Sequence, residues 1–159
     1  MKKLIILLML AGISSAAMAK DYAEYKQERL IAKILNQQVK KHRSIKSSVH
    51  SILSRYPEKV DVVMAVALKR YPEKYRQIML GALSAEPVLA CDVIEHAIKA
   101  NVAPSSELVK IAIEAEPAYA QEIVNTAVQY SPSELESIVR VAIRTEPYDT
   151  SNIVNLRSG

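Results

Sequence analysis

Apolar residues return along this chain in a fixed rhythm. The pairs Val63-Met64, Ile78-Met79, Val93-Ile94, Leu108-Val109, Ile123-Val124, Ile138-Val139 and Ile153-Val154 stand fifteen residues apart. Behind six of them comes an alanine, Ala67, Ala82, Ala97, Ala112, Ala127 or Ala142, followed by Leu68, Leu83, Ile98, Ile113, Val128 or Ile143. Prolines keep the same clock at 57, 72, 87, 117, 132 and 147, and Pro104 alone is two places late for its slot. The segment RYPEK, at 55–59 and again at 70–74, therefore reads as two adjacent copies of a tandem repeat.

Numbered from its proline, each unit is mostly apolar at positions 4, 7, 8, 11 and 12. That is the i, i+3, i+4, i+7 spacing of one helix face, covering an arc of about 140°. Proline suits the first turn, where its missing N–H costs nothing, and it holds its predecessor out of the helix. Ser131-Pro132-Ser133-Glu134 reads as a capping box, and Glu86, Glu116 and Glu146 precede prolines, where negative charge meets the positive end of a helix. Each unit thus predicts a helix of about eleven residues, about 16 Å long, and a short turn. So short a helix is marginal alone and must bury its stripe on neighbours. The recurring alanine lets those neighbours approach closely. The expected fold is all-α: tandem fifteen-residue short-helix repeats stacked in antiparallel order as a small right-handed α-solenoid. The units resemble the logic of HEAT and tetratricopeptide arrays, which use longer repeats and different signature residues; the resemblance implies architecture alone.

The ends divide the chain further. Lys2 and Lys3, the apolar run Leu4 to Ile13 and the small residues ending Ala17-Met18-Ala19 form the three-part pattern of a secretory signal peptide over 1–19. Ten apolar residues are too few to cross a bilayer, which takes about twenty. Over residues 20–41, Tyr22, Tyr25, Leu30, Ile31, Ile34, Leu35 and Val39 make an N-terminal amphipathic capping helix. Residues 42–56 are expected to be a basic linker, centred on Lys40 to Lys46, and a degenerate repeat with Val49, Ile52 and Leu53. A seven-unit array would fill 57–159, its last unit, from Pro147, acting as a cap.

Composition narrows the functional classes. After the leader, Gly81 and Gly159 are the only glycines, which argues against a phosphate-cradling glycine loop. The single cysteine, Cys91, excludes an internal disulfide. Charge is unevenly spread: residues 20–80 carry 14 Lys/Arg against 6 Asp/Glu, a net of +8, whereas 81–159 carry 5 against 11, a net of −6. No HExxH, CxxC or GxSxG is present. On a helix, Cys91 would pair with Glu95 and Asp92 with His96, but a structural metal site wants four ligands and no second cluster supplies the rest. No catalytic residue, cofactor or metal is expected, and Cys91 reads as a half-buried thiol.

The chemistry that does recur is aromatic and basic. Arg55, Tyr56, Lys59, Arg70, Tyr71, Lys74, Tyr75 and Arg76 follow the repeat and are expected along one edge, where rings stack and cations pair with carboxylate or phosphate. The reading is an exported, non-enzymatic helical-repeat protein of the bacterial envelope or exterior, periplasmic or secreted, that binds a protein or peptide, with an acidic one expected at that edge. One alternative is a binder of anionic polysaccharide or lipid headgroups through that edge; another is a self-assembling structural protein joining basic end to acidic end. Nucleic acid is not an expected partner of an exported chain, and no membrane span is expected after cleavage. Cleavage after Ala19 makes Lys20 the first residue of the exported chain, which N-terminal sequencing checks; an intact apolar run would make the segment an anchor.

Overall fold

Why proline recurs is visible in the backbone. In the computed structural model, which describes residues 22–41 and 43–145, Tyr56, Tyr71, Glu86, Glu116 and Ser131 all have non-helical backbone just before a proline. Each proline then opens a single 3₁₀ turn: Pro57–Lys59, Pro72–Lys74, Pro87–Leu89, Pro117–Tyr119 and Pro132–Glu134. The N–H of Tyr71, Glu86, Glu116 and Ser131 donates back to the carbonyl of Ala67, Ala82, Ala112 and Ala127, at 2.8–3.2 Å. Their carbonyls accept from the residue three ahead, at 2.9–3.1 Å. The chain therefore reverses without stranding backbone polar groups, which burial would make costly.

Among the described residues all regular structure is helical. Residues 22–40 form α1. There follow α2 (Ile45–Leu53), α3 (Val60–Arg70), α4 (Tyr75–Ala85), α5 (Ala90–Lys99), α6 (Ser105–Ala115), α7 (Ala120–Tyr130) and α8 (Leu135–Thr145). From α2 to α8 the helices begin fifteen residues apart. The late Pro104 does not disturb that count. Instead α5 ends early, with Asn101 in the left-handed region at φ 50° and its N–H on the Ile98 carbonyl, and Pro104 enters α6 without a 3₁₀ turn. Asparagine tolerates that conformation better than most residues. The expected leader and the unit from Pro147 lie outside the described residues.

From α2 to α8 each helix touches its neighbour in sequence and packs more extensively on the helix two places along. One row runs α2, α4, α6, α8 and the other α3, α5, α7. The core lies between and along these rows. Ala67, Ala82, Ala97, Ala112 and Ala127 are fully buried and Ala142 nearly so, as are the paired apolar residues from Val63 to Val124. Ile143 departs from the expected stripe and is exposed.

Two boundaries differ from expectation. The stretch Lys40 to Lys46 is mostly not a linker: Lys40 closes α1, while Ile45 and Lys46 open α2. Ser44 caps α2, its Oγ accepting from the Ser47 N–H at 3.1 Å. Nor is α2 degenerate in its packing. Ile45, Ser48, Val49, Ile52 and Leu53 are all buried and occupy the same five unit positions as in the later helices. The proline that would have announced this unit is replaced by the serine cap, a different start signal with the same result. Ser48 is accommodated because its hydroxyl donates to the Ser44 carbonyl at 3.0 Å.

The closest helix approach is between α2 and α4. A Cβ added to Gly81 would meet the Lys46 carbonyl oxygen at 2.5 Å, so glycine is there for backbone contact, against its poor helix propensity. Gly81→Ala should therefore destabilise the protein, where an open helical site would gain about 0.5–1 kcal/mol. Ala112→Leu, overpacking a fully buried site, should cost about 1–3 kcal/mol. Lys110→Ala, on the exposed face of the same helix, should stay within about 0.5 kcal/mol. Urea melts of the three variants check the order.

Candidate functional site

The eight aromatic and basic residues expected on one edge do not share one. The eleven residues of α3 rise about 16 Å and separate the two RYPEK copies. Arg55, Tyr56 and Lys59 stand at the start of α3, whereas Arg70, Tyr71 and Lys74 stand at its end. Successive turns fall at opposite ends because the chain reverses at each one.

Two more of the eight are engaged inside the fold. The Tyr75 hydroxyl donates to the Glu107 carboxylate, and Arg76 pairs with Glu114 at 3.4 Å. The bond to Glu107 pushes the Tyr75 phenol above its ordinary value. Tyr71 and Tyr75 lie half-buried against the core, the Lys74 ammonium 5.9 Å from the Tyr71 ring centre. Of the eight, Tyr56 is the large apolar side chain left exposed.

Arg70 belongs to a different assembly. It lines a groove of about 640 Å³ whose other walls come from α1: Tyr22, Tyr25, Lys26, Arg29, Leu30, Ala32, Lys33 and Asn36. Four cations border this groove and, among the described residues, no carboxylate does. Tyr22, Tyr25 and Leu30 were expected to be core and are instead 69%, 56% and 57% exposed, since α1 buries Ile31, Ala32 and Leu35 from its second half. The Arg29 guanidinium sits 5.7 Å from the Tyr25 ring centre, a cation–π contact that orients both. The sequence does carry a signal for this site: Lys26, Arg29 and Lys33 at i, i+3 and i+7 share one helix face. On the other flank of α1, Glu24, Glu28, Glu58 and Asp61 line a separate groove of about 290 Å³ that also takes in Lys59 and His96. Charge is thus sorted across a single helix.

The stretch from Cys91 to His96 is used for packing. His96 meets Asp61 of α3 at 3.0 Å, not its own-helix Asp92. Glu95 pairs with Lys99, whose ammonium lies 4.8 Å from the ring centre of Tyr130 on α7. Burial first, then Asp61 and Glu95, raise the Asp92 carboxyl above its usual range. Cys91 is half-buried. Among the described residues no three metal-ligating side chains converge.

From α2 to α8 a polar bridge crosses every contact between helices two apart. His50 Nδ1 lies 3.2 Å from the Ser84 hydroxyl between α2 and α4, His96 joins α5 to α3, and Tyr75 and Arg76 join α4 to α6. Lys99, over the Tyr130 ring, joins α5 to α7. The fifth bridge replaces the expected capping box. Ser131 makes no backbone cap; its hydroxyl donates to Glu134 at 3.2 Å. Glu134 reaches instead to the start of α6, accepting from the Ser105 N–H at 3.0 Å and the Ser105 hydroxyl at 2.8 Å. There Pro104 has no side chain that could cap, so the carboxylate from the next unit but one does it.

Compared with protein-family models, with curated proteins and with solved structures, the chain gives no match.

Hydrogen bonds from Ser105 hold the Glu134 carboxyl below the usual glutamate range. A depressed carboxyl contributes stability that is present above the ordinary value of about 4.3 and lost as pH falls through the folded one. Glu134→Gln should cost about 1 kcal/mol at neutral pH, the worth of a cap. Its deficit against the unaltered protein should shrink in acid, as chemical melts across that range would show. A deficit independent of pH would mean that the charge is not what caps α6.

Proposed function

We infer that this chain is an exported, non-enzymatic interaction module of the bacterial envelope or exterior, a small right-handed α-solenoid that holds an acidic segment of another protein in the groove between α1 and Arg70. Two rows of helices, each packed on the helix two places along, support the solenoid reading. Its export rests on the leader-like pattern over 1–19; no helix among the described residues is long and apolar enough to cross a membrane.

The observation that carries the binding reading is the groove's lining: four cations, two exposed tyrosine rings and, among the described residues, no carboxylate. Exposed cations gathered without counter-charges attract an acidic partner and set its orientation, while tyrosine offers apolar contact at low entropic cost. Pairing of Tyr75 and Arg76 with Glu107 and Glu114 joins the basic half to the acidic half inside one molecule. That leaves less unpaired charge for the basic end of one copy to meet the acidic end of another.

Charge reversal tests it. Arg29→Glu together with Arg70→Glu should abolish capture of a labelled acidic peptide in fluorescence polarisation, with the melting temperature nearly unchanged because both side chains are outside the core. Binding should persist, weakened, as salt rises, since the tyrosine contacts are not screened. Complete collapse in salt, with equal capture of an anionic polysaccharide, would point to the polymer-binding alternative. A fall in the protein's own sedimentation mass on reversal would point to self-assembly.

A further inference from the structure

The exposed face of α1 specifies what kind of segment the groove takes. From α2 to α8, helices two apart pack on one another with an apolar contact and a polar bridge. The outward face of α1 instead leaves its large apolar side chains exposed. That face is the one carrying exposed Tyr22, Tyr25 and Leu30 beside Lys26, Arg29 and Lys33.

The spacing of the cations selects the occupant. Lys26, Arg29 and Lys33 advance by three and then four residues, so they step along α1 by about 4.5 and 6 Å. A second helix with carboxylates at i, i+3 and i+7 repeats those steps. An extended strand, whose same-face side chains come about 6.6–7 Å apart, falls out of register within two contacts. The groove is lined from Tyr22 to Asn36, a rise of about 21 Å, the length of a four-turn helix. Leu30, Ala32 and the tyrosine rings form the apolar part of the wall, with the cations beside it. Resting on the reading above, we propose that the partner segment is an acidic amphipathic helix, which docks along α1 and extends the row formed by α3, α5 and α7. Recognition is by a helix face and its anchors, the helix-in-groove mode.

The probe is a synthetic peptide with glutamates at i, i+3 and i+7 and leucines on the adjoining stripe, set against a scramble of identical composition. The patterned peptide should bind the exported chain about tenfold more tightly, the sum of three weak exposed ion pairs, and gain helical circular dichroism when bound. Arg29→Glu with Lys33→Glu should erase the difference and transfer preference to a peptide patterned with lysine. Equal binding of pattern and scramble would leave an acidic partner standing and overturn the helix berth. Failure of both peptides, with capture by phosphatidylglycerol vesicles, would overturn the berth and the acidic-protein reading together. A sedimentation mass that doubles without peptide and reverts on Arg29→Glu would make the occupant a second copy, which also overturns it.

Discussion

An eleven-residue helix does not persist alone in water, because three or so turns barely offset the cost of nucleation. Everything in this fold follows from the need to lay such helices on one another. Each carries five mostly apolar positions on a stripe of about 140°, wide enough to face two neighbours at once, one beside it in sequence and one two places along. The buried alanine of each unit is the concession to closeness, and at the tightest point, α2 against α4, the concession becomes Gly81 with no side chain at all. The prolines keep this regular by halting one helix and starting the next without leaving backbone groups unpaired.

Polar side chains do a second task in the same contacts. Hydrophobic burial is non-directional, so by itself it would let short helices slide or rotate. Polar bridges between helices two apart from α2 to α8, from His50 and Ser84 to Ser105 and Glu134, add the missing direction. These bridges also explain why the opposed charges of the two halves do not stand apart. Arg76 and Glu114 belong to different halves by sequence and meet across α4 and α6.

Cations and tyrosine rings gather on one face of α1. Along the rows each helix finds an i+2 partner, and its polar residues are drawn into bridges. At α1 the cations Lys26, Arg29 and Lys33 and the rings of Tyr22 and Tyr25 face outward instead, with Arg70 of α3 completing the wall. The candidate site is made of residues of the kind that elsewhere in the protein hold one helix to another.

Much of this was legible in the chain. The helical class, the places where helices begin and the burial of Ala67 through Ala142 follow from local period and from proline's fixed backbone angle, which act within one unit and need no knowledge of the others. Ile45 and Val49 were equally legible, though a serine start hid α2 from a reading keyed to proline. What tertiary structure alone decided is which end of a helix each turn occupies and which carboxylate each polar side chain meets. The chain reverses at every turn, so equivalent surroundings return after thirty residues, as from Val60 to Ala90, and the two RYPEK copies part company. Glu134 caps a helix start twenty-nine residues away, a partner set by how the rows stack in space and invisible to any local pattern.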